Sequence, residues 1–252
     1  MLLIVNADDF GYTPAVNRGI VQAVRQGVVT SVSLMVNQPG TEDALHILRN
    51  GLPAGVGVHL CLTRGRPLLN PGDIPSLVDA EGYFKGRDAL LTSALVQEEV
   101  EREFSAQVAY VQNAGIRVGH LDTHHHIHRH PIILAVLMRV AGNLRLPLRS
   151  LDDAMREVVR LKGLKTPDFF CGAWFAGGVS LPAFKTWVTA GLRIGARSME
   201  LMTHPGKVDE ELFKRSGYAV ERERELRILC HPELPRWLAG KDVRLGTYRN
   251  LG

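Results

Sequence analysis

The chain has 252 residues, of which 45% are hydrophobic and 22% charged, a composition typical of an ordinary globular protein. Basic residues exceed acidic ones by 30 to 26, and because this small excess is scattered along the chain, nucleic-acid binding is not expected. We expect no membrane span and no signal peptide, and three cysteines without CxxC spacing are consistent with a reducing cytoplasm.

The first part of the chain alternates between strand and helix patterns. Leu2–Val5 is a continuous apolar run typical of a buried strand, and Thr13 precedes an amphipathic helix that begins at Pro14 and stops at Gly27. The next predicted elements are a strand over Thr30–Val36, a helix over Thr41–Arg49 and a strand over Val56–Leu62. This order predicts a parallel sheet with right-handed crossovers.

A long segment rich in glycine and proline, Thr63–Leu90, interrupts the regular pattern. Because it follows a strand that ends near His59, it is either a lid or substrate-binding loop, or a mobile insertion. A long helix is predicted next, over Val96–Ala114. The acidic run Glu98–Glu103 within that helix is most simply a solvated helix face.

Histidines are concentrated in one short stretch. Six of the ten lie within His120–His130, between a predicted strand at Ile116–Leu121 and a helix that begins at Pro131. A solvated polar loop is one interpretation of this stretch, and a metal site is the favoured one, because short histidine-rich tracts often bind metal. One metal ion takes three or four protein ligands, so most of these histidines must serve other purposes.

The remainder of the chain predicts two more strands, three more helices, one aromatic loop and a closing piece. The predicted elements are a strand at Leu146–Arg149, a helix from Ser150 to Leu161, a loop at Lys162–Gly178, a helix at Pro182–Leu192, a strand at Ser198–Thr203, an exposed helix around Glu221–Glu225 and a closing piece at Arg244–Tyr248. The loop carries Phe169, Phe170, Trp174 and Phe175. Such rings stack on sugars, but packing on the domain or on a second subunit of a homodimer is the safer interpretation.

Three predicted strand ends carry potential metal ligands. Asp8 and Asp9 follow the first strand, His59 lies in the third, and Asp122 accompanies the histidines. These ends converge at one mouth of a β/α barrel. Two imidazoles and one carboxylate leave open positions on a divalent metal, as in a catalytic site, and a bend after the first strand would let the second carboxylate face a bound water as general base.

Together these residues form a set of motifs. Asn6–Gly11, Gly57–Leu60, His120–His128, Met202–Pro205 and Arg244–Tyr248 resemble the signature segments of the YdjC-like carbohydrate deacetylases, a group that includes chitooligosaccharide deacetylase. The resemblance covers essentially the whole chain, in the same order. It implies an α/β fold, a distorted β/α (TIM-like) barrel related to the polysaccharide deacetylases, formed as a single domain over residues 1–252 with the active site at the C-terminal ends of the strands.

The resemblance also implies roles for individual residues. Asp9, His59 and His124 would hold the metal, Asp8 would be the general base and His204 the general acid. Asp122 is expected to orient His124 or His204, Arg149 to tune Asp8, and His126 to support the site or contact substrate. The metal is Mg²⁺ by the resemblance and Zn²⁺ or another transition ion by the preference of imidazole ligands.

The expected reaction is hydrolysis of the N-acetyl group of a small acetylated amino sugar or short oligosaccharide, in which a base-activated, metal-bound water attacks the acetamide. Two alternatives stay open. One is a metal-dependent barrel hydrolase of another amide or a phosphoester, and the other is a non-catalytic metal-binding or sugar-binding protein. The adjacent Asp8 and Asp9 distinguish them, because binding needs one carboxylate whereas catalysis uses both.

Overall fold

The computed structural model describes residues 1–252, and its centre is one parallel β-sheet. The seven strands are β1 (Leu2–Phe10), β2 (Ser31–Leu34), β3 (Gly55–Leu60), β4 (His120–Thr123), β5 (Phe169–Cys171), β6 (Ser198–Thr203) and β7 (Arg244–Leu245). They are arranged in the order β4-β3-β2-β1-β6-β5, with β7 paired to the start of β1, and every pairing is parallel. The sheet curls into a half-barrel, which confirms the predicted α/β, TIM-like fold class.

Ten helices cover or connect the strands. They are α1 (Pro14–Gln26), α2 (Thr41–Arg49), α3 (Arg87–Leu91), α4 (Gln97–Asn113), α5 (Pro131–Leu144), α6 (Asp153–Leu161), α7 (Leu181–Arg193), α8 (Glu210–Arg215), α9 (Val220–Leu229) and α10 (Glu233–Ala239). The hydroxyl of Thr13 caps α1 by accepting from the backbone N–H of Val16, as its sequence predicts. None of the helices combines the length and the apolar character needed to cross a membrane.

The core lies on both faces of β1, all nine residues of which are buried. Leu3, Val5, Ala7 and Phe10 join a cluster of 60 buried residues contributed by the sheet and the surrounding helices, whereas Leu2 and Ile4 pack with Tyr248 and Leu251 in a separate small cluster. Close approach between strands also requires one glycine. A Cβ atom on Gly57 would lie only 2.2 Å from the ring of His120, its partner on β4. Gly57 therefore makes room for an imidazole inside the sheet.

Three predicted elements differ from the structure. The fourth strand is His120–Thr123 rather than Ile116–Leu121, because its register with β3 begins only at Gly57 and His120. Leu146–Arg149 forms no strand and makes a single bridge from Leu148 to Leu121. Pro147 lacks the N–H group that a longer ladder would need. The predicted loop Lys162–Gly178 contains β5, which is too short, at three residues, to show a periodic pattern.

The acidic run on α4 is not simply a solvated face. Glu99 and Glu103 are buried and point at the segment Thr63–Leu90. The carboxylate of Glu103 accepts hydrogen bonds from the backbone N–H groups of Leu68 and Leu69, at 3.1 Å each, and Glu99 accepts from Ser76 at 2.8 Å. The prediction was wrong for these two residues because helical spacing places them on the inner face, where backbone donors compensate for their burial.

Because Glu103 anchors the segment Thr63–Leu90, its removal should increase amide exchange in that segment. Replacing Glu103 with alanine leaves the N–H groups of Leu68 and Leu69 without their charged acceptor. Since hydrogen bonds to charged groups contribute about 1.5–3 kcal/mol, we expect these two amides to exchange with solvent at least roughly tenfold faster. Hydrogen exchange measured by NMR or mass spectrometry tests this. Glu98→Ala, at an exposed position of the same helix, is the control, and equal exchange in both variants would contradict the anchoring.

Candidate active site

The carboxyl ends of the strands surround a cavity of about 340 Å³. Asp8 and Asp9 reach it from the end of β1, His59 from β3, and His204 from the residue that follows β6. His124 enters from a short 3-10 segment, His124–Arg129, directly after β4. Residues separated by nearly 200 positions in sequence thus line one cavity, since parallel strands place all their carboxyl ends at the same edge.

Three side chains form a compact group of donor atoms. Asp9 Oδ1 lies 3.2 Å from His124 Nδ1 and 3.5 Å from His59 Nε2, and the two imidazole nitrogens are 3.3 Å apart. All three side chains are buried. Ligands at about 2.0–2.1 Å from one divalent ion stand roughly 3.0–3.4 Å from one another, so the triangle has the size that an ion requires. Asp9 Oδ1 makes no hydrogen bond and is therefore free for such an ion.

A second group of potential ligands, Asp8, His59 and Asp122, is less suited to a metal. Both of its carboxylates are already bound by Arg149. The guanidinium donates to the two oxygens of Asp8 at 2.7 and 2.8 Å and lies 3.0 Å from Asp122 Oδ2. A cation in this group would face that buried positive charge directly. The triangle of Asp9, His59 and His124 is therefore the better metal site.

The backbone makes a sharp turn at two places in this group of ligands, at Asp9 and directly after His124. Asp9 has a φ of +64°, and two consecutive residues after His124, namely His125 and His126, have φ of +57° and +52°. Aspartate and histidine tolerate this left-handed conformation better than most side chains. The turn at Asp9 breaks the strand alternation, so that Asp8 and Asp9 both line the cavity. The expected bend is thus present, but it lies within β1, at Asp9, rather than after the strand.

Asp8 is held by a buried network below the cavity. Besides the two bonds from Arg149, its Oδ1 accepts from Asn6 Nδ2 at 2.7 Å. Arg149 also binds Glu200 Oε1 at 2.6 and 2.9 Å, and Tyr248 donates its hydroxyl to the other oxygen of Glu200. Four charged or polar side chains thereby fix the orientation of one carboxylate. The contact expected between Arg149 and Asp8 is a bidentate ion pair.

Asp122 contacts a different histidine from the two expected. Its Oδ1 lies 3.0 Å from Nδ1 of His59, whereas the sequence predicted contact with His124 or His204. The reason is register, since His59 and Asp122 are direct partners across β3 and β4. Burial alone would lower the pKa of His59, but the carboxylates of Asp122 and the two aspartates of β1 raise it to about 9. Asp122 therefore fixes the ring of His59 with Nε2 toward Asp9.

His204 contacts helix α9. Its backbone N–H donates to Glu225 Oε2 at 2.5 Å, and its Nδ1 lies 3.9 Å from Glu225 Oε1, which also accepts from the hydroxyl of Tyr218. Burial lowers the pKa of His204 to about 4, against the opposing effect of Asp9 and Asp8. Burial also raises the pKa of Glu225 to about 8. Both side chains are therefore mostly uncharged at neutral pH.

The same helix reaches the proposed metal ligands. Arg222 Nη2 donates to Asp9 Oδ2 at 2.6 Å, and both side chains are only 4% exposed. Burial raises the pKa of the Asp9 carboxyl, but Arg222 and His124 outweigh it and hold that pKa well below its ordinary value. The prediction that the charged stretch Glu221–Glu225 is exposed was thus wrong for Arg222 and Glu225. These two residues form, with Leu226 and Leu229, the buried stripe of α9 at helical spacing, and that spacing was the available signal.

Aromatic and basic side chains form the rim of the cavity. Phe175 is 40% exposed and stacks on Tyr218, with ring centroids 4.2 Å apart and an interplanar angle of 10°. Trp174 is fully buried and packs on Phe184, so packing on the domain holds for Trp174, whereas packing of Phe175 on a second subunit stays a prediction. His126 also lines the cavity, with its ring edge against Phe170. The arginines at the rim are Arg64, Arg87 and Arg129.

Comparison with known proteins decides the family. The sequence profile of the YdjC-like protein family matches residues 2–240. The chain belongs to the YdjC-like family. Two relatives of this YdjC-like chain are named carbohydrate deacetylase. The protein from Brevibacillus brevis is 40% identical over the full length of both chains, and that from Geobacillus stearothermophilus is 39% identical over 98% of this chain and 97% of its own.

Solved structures support the same fold. A candidate cellobiose-phosphate cleavage protein from Enterococcus faecalis superimposes on this YdjC-like chain with a TM-score of 0.93, at 32% identity, over 98% of this chain and 97% of the other. A lactam utilization protein from Thermus thermophilus gives a TM-score of 0.57 at 14% identity, over 98% of this chain and the whole of the other. The second likeness concerns the fold alone.

Proposed function

We propose that this YdjC-like protein is a metal-dependent carbohydrate deacetylase that removes N-acetyl groups from acetylated amino sugars or short, chitooligosaccharide-like oligosaccharides. The observation that carries the proposal is the pair of adjacent carboxylates at the end of β1. Asp9 points one oxygen at two imidazoles, while Asp8 is held apart by Arg149. The names of the relatives support the choice of substrate.

Asp9, His59 and His124 are the residues that would hold the divalent ion. Three protein ligands leave further positions open, as hydrolytic metal sites require, and buried carboxyl groups around the cavity outnumber the two buried arginines. A bound ion would supply Lewis-acid activation of water and of the acyl group. Imidazole ligands favour Zn²⁺, whereas the family resemblance favours Mg²⁺, and the proposal applies to either ion.

Asp8 is the proposed general base. Its carboxylate accepts a proton from the attacking water, and Arg149 holds both of its oxygens so that it keeps a single orientation during the transfer. Asn6 adds a third donor to the same carboxylate. These contacts reduce the reorganisation that proton transfer would otherwise need.

His204 is the proposed proton donor to the departing amine. Because burial lowers the pKa of His204 to about 4, its imidazole is neutral before the reaction. Hydrolysis nevertheless balances without a second proton source, since the hydroxyl of water ends on the acyl carbon and its proton on the amine nitrogen. Water therefore supplies as many protons as the amine consumes, and His204 would donate to the amine only in its protonated form, which the carboxylates of Asp9 and Asp8 favour.

The cavity rim is the proposed place for the sugar. The exposed face of Phe175, stacked on Tyr218, would take the apolar face of a sugar ring. One alternative, a hydrolase of another amide or a phosphoester, would use the same metal ligands. The other alternative, a non-catalytic binding protein, would not need a second carboxylate fixed in one orientation, as Asp8 is. The domain extent 1–252, the cytoplasmic location and a homodimer all stay predictions.

Metal removal tests this function. Stripping the protein with a chelator should lower acetate release from N-acetylglucosamine oligomers at least roughly tenfold, and restoring Mg²⁺, Zn²⁺ or Co²⁺ separately should return it. Acetate release is measured with a coupled enzymatic assay. Tight metal binding without acetate release would favour the other hydrolase, which assays on other amides and on phosphoesters would identify. Acetate release that is insensitive to the chelator would contradict the proposed mechanism.

A further inference from the structure

We infer that Arg222 of helix α9 is a positioning residue for the metal site, and that it acts by fixing the carboxylate of Asp9. The inference rests on the proposed metal-dependent function. Arg222 binds Oδ2 of Asp9 at 2.6 Å, which leaves Oδ1 facing the imidazoles of His59 and His124. Without this bond no hydrogen bond would fix the rotation of the carboxylate about its Cβ–Cγ bond, because Oδ1 itself has no hydrogen-bond partner.

The arginine is itself held in place. Its Nε donates to the backbone carbonyl of Tyr218 at 3.0 Å, and its guanidinium carbon lies 5.7 Å from the ring centroids of both Tyr12 and Tyr218. Only 4% of its side chain is exposed. Arginine loses little further freedom when its planar group is confined in this way, so it can orient a partner reliably.

The backbone of the same residue also holds the chain after β6. The N–H of Gly206 donates to the carbonyl of Arg222 at 3.2 Å, and a Cβ atom on Gly206 would lie 3.1 Å from the Cδ atom of Arg222. The turn that carries His204 and the side chain that binds Asp9 are therefore packed against one another.

The two adjacent aspartates have separate arginine partners. Arg149 binds both oxygens of Asp8, whereas Arg222 binds a single oxygen of Asp9. The number of arginine bonds to each aspartate matches its proposed role. A metal ligand must keep one oxygen free for the ion, as Asp9 does. The general base, Asp8, does not bind the ion, so both of its oxygens can be held by Arg149. The single bond from Arg222 therefore leaves Asp9, and not Asp8, with an oxygen available to the metal.

Removal of Arg222 has two opposite effects on metal affinity, one through its charge and one through the orientation of Asp9. A positive charge near a cation site disfavours binding, so loss of that charge alone would tighten metal binding. Loss of orientation would weaken it. Substitutions of residues that orient metal ligands typically cost about 10–100-fold in affinity, and we expect this effect to win because Arg222 bonds directly to the ligand.

The test is metal affinity rather than turnover. Full-length protein stripped of metal is titrated with Zn²⁺ by calorimetry, and the absorption spectrum of the Co²⁺ form reports ligand geometry. We expect Arg222→Met to bind Zn²⁺ about 10–100-fold more weakly and with an altered Co²⁺ spectrum. Arg222→Lys, which keeps one donor, should recover part of the affinity. Arg224→Met removes the same charge from an exposed position of α9 and is the matched control.

Each outcome is decisive. Equal or tighter Zn²⁺ binding by Arg222→Met, with an unchanged Co²⁺ spectrum, would overturn the role of Arg222 while leaving the proposed function in place. If the unaltered protein bound no metal, the proposed function itself would fail, and this role with it. If Arg222→Met does not fold, Arg222→Lys decides, because a lysine variant with fully native affinity and spectrum would show that the specific arginine contact is unnecessary.

Discussion

Replacing Asp8 with asparagine should remove most of the turnover while leaving metal binding intact. The amide has the shape of the carboxylate and keeps one oxygen for the bond from Arg149, but it cannot accept the proton of water. General-base catalysis contributes roughly 10²–10⁴-fold, and we expect kcat to fall by about that factor. The measurement is acetate release at saturating metal, together with Zn²⁺ titration of the stripped protein.

Asp9→Asn is the matched control for this experiment, because it alters the adjacent carboxylate on the same turn. It should lose metal affinity as well as turnover, since Asp9 Oδ1 faces both imidazoles. The two variants therefore differ in the binding measurement and agree in the loss of activity. Near-normal turnover in Asp8→Asn, or equal metal affinity in the two variants, would contradict the division between base and ligand.

Sequence alone was sufficient for the parts of the site that lie at strand ends. Asp8, Asp9 and His59 each follow or end an apolar run, and parallel strands place such residues together whatever the length of the connecting chain, whereas His204 was assigned to the site by the family resemblance. The rule needs only the local pattern of each strand. The fold class followed from the same alternation of strands and helices.

Contacts made by helices and irregular segments could not be predicted in the same way. Arg222 and Glu225 lie among alternating charges that are typical of an exposed helix, and only the packing of α9 turns them inward. The contact of Arg149 with Asp8 was expected, but the strand that was to carry Arg149 does not form, and the side chain reaches Asp8 from the chain beside β4. Such positions depend on tertiary packing, which overrides local pattern.

The histidine cluster shows the limit of counting potential ligands. Only His124 joins the proposed metal site, whereas His120 points into the sheet and stacks on Tyr248, with ring centroids 3.9 Å apart. His128 lies 2.6 Å from the hydroxyl of Thr123 through its Nδ1. Alternation along β4 and the left-handed turn at His125 and His126 separate these rings. The composition of the segment indicated a metal, but its backbone decides which imidazole is available.

Replacing Arg149 with methionine should destabilise the fold as well as inactivate it. The guanidinium is fully buried and is shared by the carboxyl groups of Asp8, Asp122 and Glu200. Removing one partner of a buried ion pair costs about 3–5 kcal/mol, because the remaining charge is left uncompensated. Urea denaturation at pH 7 measures the loss. Arg193→Met, at an exposed position of α7, is the control and should change stability little.

The pH dependence of the same variant provides a second test. Burial opposes ionisation of Asp122, but Arg149 and His59 lower its pKa below the ordinary value of about 3.9. Such a depressed pKa contributes stability that is present above the unfolded pKa and is lost only as pH falls through the folded one. Without Arg149 the folded pKa of Asp122 rises. Where it exceeds the unfolded value, the uncompensated carboxylate takes up a proton as the pH falls, so the stability that the variant loses relative to the unaltered protein should be smaller at pH 5 than at pH 7. A variant as stable as the unaltered protein at both pH values would show that the buried carboxyl groups do not depend on Arg149 for their charge.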